Sequence, residues 1–107
     1  MSKITHTIAS AFMEGKAKSL SNTKTDGKSL WLFGNKIAEH REDGTYISNA
    51  GWKSKTTKER LNGLTNVSIS QRKGKWHLND NEWDGDWIKI SDNVPEYDKE
   101  KVGKSFD

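Results

Sequence analysis

The stretch SLWLFGNKIAEHREDGTYISNAGW, residues 29–52, decides the fold. Three short runs rich in apolar and β-forming residues are separated by Gly34-Asn35 and Asp43-Gly44, dipeptides that favour tight reversals because glycine reaches backbone angles other residues avoid. Gly34-Asn35 reads as a type II′ turn, and Asp26-Gly27 upstream turns KSLSNTKT into SLWLF. Closely spaced reversals leave no room for crossover helices, so the strands form an antiparallel meander. Within KIAEHRE the adjacent Ile37 and Ala38 break strict alternation and leave the buried face of that strand open.

On the N-terminal side, Ile4, Ile8, Ala11 and Phe12 recur at helical spacing and Gly15 follows, which predicts an amphipathic helix over residues 4–14 with a glycine stop. On the C-terminal side, TKERLNGL breaks the strand pattern. Thr56 and Glu59 fit a capping box, Asn62-Gly63 reads as a stop, and Leu61 faces inward. So short a helix needs clamping, and Trp52 and Leu64 are placed to do it. NVSISQR, a Lys73-Gly74 turn and KWHLN form a second sheet segment; turns at Asn79–Asn81 and Asp84-Gly85 lead to DWIKI, which closes the sheet. The expected class is α+β: an N-terminal helix packed on an antiparallel meander-type sheet, with a short inserted helix. Residues 1–90 form a single domain and 91–107, mixed in charge and poor in apolar residues, a flexible, disordered tail.

Composition narrows the function. Five tryptophans can build a core in a polar chain of 107 residues. Cysteine is absent, which removes disulfides, thiolate zinc sites and cysteine nucleophiles and suits a reducing cytoplasm. No apolar run is long enough to span a bilayer and no signal-peptide pattern opens the chain, so a soluble intracellular protein is expected. Residues 51–75 hold seven Lys and Arg against one acid, whereas 76–107 hold four against nine. The two halves can complement each other or face different partners.

Beyond these features, LWLFGNKIAEHREDGTYISNAGWKSKTTKERLNGL and VSISQRKGKWHLNDNEWDG resemble a family of small proteins encoded by bacteriophages and prophages. The shared pattern comprises Gly34–Asn35, Ile37–Ala38, Asn49–Trp52, Thr56–Asn62, Trp76–Asn79 and Trp83–Gly85. The resemblance implies a phage accessory protein made in the host bacterial cytoplasm. By analogy with other such proteins, it implies binding and inhibition of a host protein complex, such as a CRISPR defence system. It carries no catalytic or binding residues with it.

Candidate sites come from the residues themselves. A partner-binding surface combines Trp52, Lys53, Lys55, Lys58 and Arg60, with Trp87 and the acids of 80–86 as a second choice. The alternative, a small nucleic-acid-binding protein, uses Lys53, Lys55, Lys58 and Arg60 with Lys73 and Lys75, and Trp52 stacks on a base. Each has a plainer competitor, in which lysines solvate a loop and Trp52 packs over the short helix. Trp31 and Phe33 share one strand face, an exposed hot spot if that face is open and core if both faces are covered. DNEWDGD starts like a calcium loop, but Ser91 stands where the bidentate Glu is needed. His6, His40 and His77 lack metal-ligand spacing; His40 beside Glu39 could pair, yet no positioned nucleophile accompanies it. Neither a P-loop nor a nucleophile elbow occurs. No catalytic residue, metal or cofactor is expected, and the protein is read as a non-enzyme.

Overall fold

The computed structural model describes residues 3–91. Helix α1 (Lys3–Glu14) is followed by β1 (Ala17–Leu20), β2 (Thr23–Asp26), β3 (Ser29–Leu32), β4 (Asn35–Arg41) and β5 (Gly44–Ile47). After α2 (Lys55–Asn62) come β6 (Ile69–Arg72), β7 (Lys75–Leu78), β8 (Asn81–Glu82) and β9 (Ile88–Ser91). The predicted α+β class holds. Strands β1 to β5 form an antiparallel meander, which β9 joins beside β5 as the sixth strand; β6, β7 and β8 make a separate three-stranded sheet. The 91–107 tail lies almost wholly outside the described residues.

Helix α1 buries Ile8, Ala11 and Phe12 as the spacing predicts. The N–H of Lys16 reaches the Ala11 carbonyl (2.8 Å) and that of Gly15 the Phe12 carbonyl (3.2 Å). With Gly15 at φ 74°, this is the paired closure of a Schellman motif. Phe12, Leu30, Ile37, Ile47, Leu61 and Trp76 are at most 1% exposed and knit both helices and both sheets into one core. Each such side chain contributes about 1.5–3 kcal/mol. His40 joins this interior: its ring stacks on Phe12 (centroids 4.1 Å apart), and its nitrogens reach the Thr45 hydroxyl (2.8 Å) and the Phe12 carbonyl (2.9 Å). It therefore faces away from Glu39, on the other side of the strand, and forms no acid–base pair with it.

Several turns differ from expectation. Register pairs Leu32 with Asn35, so the turn residues are Phe33 and Gly34, at φ 52° and 81°, and not Gly34-Asn35. KSLSNTKT is two strands joined at Ser21-Asn22, with Leu20 opposite Thr23. Arg41 pairs with Gly44, which puts Glu42-Asp43 in that reversal. Gly44 is needed for another reason: a Cβ there would lie 2.0 Å from the Ser91 carbonyl oxygen of β9. A bulge resolves the broken alternation of β4. Leu30 and Trp31 face Ala38 and Lys36, so Ile37 is the extra residue, and both it and Ala38 are buried.

The cap of α2 is Ser54, whose hydroxyl accepts the Thr57 N–H at 3.2 Å, and not Thr56 with Glu59. Glu59 is engaged elsewhere, accepting from Thr5 (2.9 Å) and Arg60 (2.7 Å). Leu61 and Leu64 are buried as predicted, but Trp52 is 60% exposed and clamps nothing. Asn62 takes over that role on the far side: its side-chain amide donates to the Ile69 carbonyl (3.1 Å) and accepts the Ile69 N–H (2.6 Å), tying the helix end to β6.

Candidate functional site

Two large apolar side chains stand out on the surface, Phe33 (68% exposed) and Trp52 (60%). Both line a groove of about 380 Å³ with Leu32 and Ile37. Its polar lining comes from Asn35, Asn49 and, at the start of α2, Ser54, Thr56 and Thr57. That volume falls within the range of ligand and side-chain pockets. An apolar floor framed by hydroxyls and amides suits recognition of an inserted apolar group.

The chain is held firmly where it displays these rings. Trp52 follows a tight loop at residues 48–51. The Trp52 N–H donates to the Asn49 carbonyl (2.8 Å), the Gly51 N–H to Asn49 Oδ1 (2.8 Å) and the Ala50 N–H to Ser48 Oγ (3.0 Å). Ala50 and Gly51 both take positive φ, 55° and 85°. The Gly85 carbonyl then accepts from Ser48 Oγ (3.0 Å) and the Asn49 N–H (2.9 Å), which staples this loop to the 84–87 loop. Buried Asn49 presses against Gly85: a Cβ there would sit 2.0 Å from Asn49 Nδ2. Phe33 is held at left-handed φ by the two-residue hairpin, a conformation that costs a bulky residue about 1–2 kcal/mol.

Of the residues singled out from sequence, Trp52 lines the groove, exposed Lys53 and Lys55 alternate in the chain with the lining residues Ser54 and Thr56, and half-buried Lys58 on α2 is not part of the lining. Arg60 leaves that set. It is 7% exposed, its guanidinium donating to Thr23 (2.9 Å), Thr5 (2.6 Å) and Glu59 (2.7 Å), so it joins α1, α2 and β2 inside the protein. Lys73 and Lys75 sit on the β6–β7 hairpin, where Lys75 faces Glu82 at 3.8 Å. Lys58 is tied to Gln71 (3.2 Å) and Arg72 to Asp80 (3.7 Å), so the basic stretch carries its own polar and acidic partners.

Trp87 is half-buried outside the groove, lining a neighbouring depression of about 350 Å³ between the 48–51 and 84–87 loops, with Arg41 over its ring at 5.2 Å. The Asp84 and Asp86 carboxylates accept backbone N–H groups of Asp86 (3.0 Å) and Trp87 (2.8 Å) and so shape their own loop. Trp31 is half-buried rather than enclosed on both faces, with Lys24 and Lys36 over its ring. Phe33 was legible only as a strand residue. Reading Gly34 as the second turn position, where type I′ turns prefer glycine, places it at the tip.

Among the described residues no helix is long and apolar enough to cross a membrane. The sequence matches the family described as Kyanoviridae Gp96 protein over residues 1–99, so the chain belongs to that family of phage proteins. No curated protein and no solved structure matches it.

Proposed function

We propose that this phage protein is a non-enzymatic binder that captures and inhibits a host protein complex in the bacterial cytoplasm, a defence system of the CRISPR type being one such target. The observation that carries the proposal is the presence of two exposed aromatic side chains on the lining of one apolar groove, on loops pinned by hydrogen bonds. Rigid aromatic display of this kind characterises interface anchors, which lose little conformational freedom on binding. Lys53 and Lys55, which alternate in the chain with the groove-lining residues Trp52, Ser54 and Thr56, favour a partner whose anchor is followed by acidic residues.

Affinity capture from host lysate, with nuclease present and at moderate salt, tests this. A stoichiometric host protein retained by the native chain and lost with Trp52→Ala supports it. Equal retention by the variant would place the interface elsewhere.

A further inference from the structure

The second surface of interest is the face of the six-stranded sheet turned away from the core. Leu30, Leu32, Ala38 and Ile47 point inward to the helices and the small sheet. Alternation sends Lys24, Trp31 and Lys36, neighbours across three strands, to the opposite side. Glu39, Tyr46 and Lys89 form a second such row across β4, β5 and β9. Every ring on this face has a cation over it. Lys24 Nζ and Lys36 Nζ lie 5.3 and 6.0 Å from the Trp31 ring, and the Arg41 guanidinium lies 4.0 Å from Tyr46 and 5.2 Å from Trp87.

The charges are set by a small network. Glu39 accepts from Lys36 (3.2 Å) and Arg41 (2.5 Å), while Asp43 accepts from the Tyr46 hydroxyl (2.8 Å) and faces Lys89 at 3.6 Å. Four cations, Lys24, Lys36, Arg41 and Lys89, against three acids, Glu39, Asp43 and, two residues from Lys24 on β2, Asp26, leave the face modestly positive, with Glu39 and Asp43 orienting the cations beside the rings.

We propose that this face, which no other described element covers, binds single-stranded nucleic acid, with Trp31, Tyr46 and Trp87 stacking on bases and the surrounding cations meeting phosphates. Positive charge complements the phosphate backbone, and flexible lysines can move from ring to phosphate as a base takes their place on the ring. The Arg41 guanidinium, layered on Tyr46, offers a further planar surface. Trp31 and Tyr46 stand two strands apart, at least ~10 Å, about three times the 3.4 Å rise of a stacked strand, which fits splayed bases and not a duplex. A protein anchor site would carry bare rings, as at Phe33 and Trp52; here the rings are half-buried and cation-covered. This proposal is independent of the groove.

The test is a fluorescence-anisotropy titration of the full chain with labelled oligothymidylate and oligouridylate of about 20 nucleotides, enough to span a binding site of this size. Two to three phosphate contacts predict roughly 7- to 20-fold weaker binding at about 200 mM salt than at 50 mM. Trp31→Ala should weaken binding roughly 5- to 150-fold. Lys24→Glu and Lys36→Glu, at exposed positions that leave the core intact, should each weaken it as well, whereas Trp52→Ala should not. Absence of binding to either oligomer at about 50 mM salt overturns the proposal. So does binding that both charge reversals leave unchanged.

Discussion

Gly63 offers a test of how the two helices are held together. It ends α2 at φ −76°, ψ −14°, ordinary helical angles that any residue adopts. By backbone preference alone, Gly63→Ala should therefore stabilise by about 0.4–1 kcal/mol. The packing argues the opposite. A Cβ at Gly63 would lie 2.5 Å from Thr5 Cγ2 and 3.2 Å from Ala9 Cβ on α1. The first distance is about 1 Å inside the ~3.5–4 Å optimum for carbon pairs. Thr5 cannot rotate its methyl away freely, because its hydroxyl donates to Glu59 (2.9 Å) and accepts from Arg60 (2.6 Å) at a site only 1% exposed. The helices must separate, and overpacking of this kind costs about 1–3 kcal/mol. Net destabilisation of roughly 1–2 kcal/mol corresponds to a fall in Tm of about 5–10 °C. Thr5→Ser removes the obstructing methyl and keeps the hydroxyl, so the double variant should recover most of that loss. Thermal unfolding of the four proteins in the cycle measures the coupling directly. A Gly63→Ala variant as stable as the native chain, or one that Thr5→Ser does not rescue, refutes the argument.

Asn62→Ala removes both bonds to the Ile69 backbone and should destabilise by about 1–3 kcal/mol in urea unfolding, with β6 amides exchanging faster. Arg60→Lys should also destabilise, despite keeping the charge, since one ammonium cannot reach Thr23, Thr5 and Glu59 in the geometry of a guanidinium fork. Three carboxylates lie below their ordinary range. Backbone N–H groups of Ser29 and Lys28 lower Asp26; burial raises Glu39, but its bonds to Arg41 and Lys36 outweigh that; the Tyr46 hydroxyl lowers Asp43. A depressed carboxylate stabilises the fold fully above its unfolded value near 4 and loses that contribution as pH falls through its lower folded value. The contribution of these carboxylates to Tm should therefore decline below about pH 4, less steeply in Asp26→Asn.

How much of this was legible depends on the range of the interaction. The helix over residues 4–14, the meander and the burial of Leu61 and Leu64 follow from local periodicity and turn chemistry, which the chain carries at every position. The bulge at Ile37 showed as broken alternation, but which strand absorbed the extra residue depends on pairing with β3. The fate of Arg60 was hidden, because its partners Thr5 and Thr23 lie 55 and 37 residues away. Among lysines it looked like one more surface cation. Trp52 misled in the other direction: a large apolar residue beside a short helix suggests packing, yet the hydrogen-bonded loop at 48–51 turns it outward. The role of Phe33 hinged on a one-residue shift of the turn.

The most direct test of the groove is Phe33→Gly, followed by both thermal unfolding and capture of the proposed host partner. Glycine relieves the left-handed strain of about 1–2 kcal/mol and gives back about 0.5–1 in chain entropy, so stability should be unchanged or rise by up to ~1.5 kcal/mol. Capture, if Phe33 is an anchor, should be lost. A variant as stable as the native chain that no longer retains the partner is the predicted result. A variant that unfolds well below the native Tm, or one that retains the partner undiminished, contradicts the assignment of Phe33 to the binding surface.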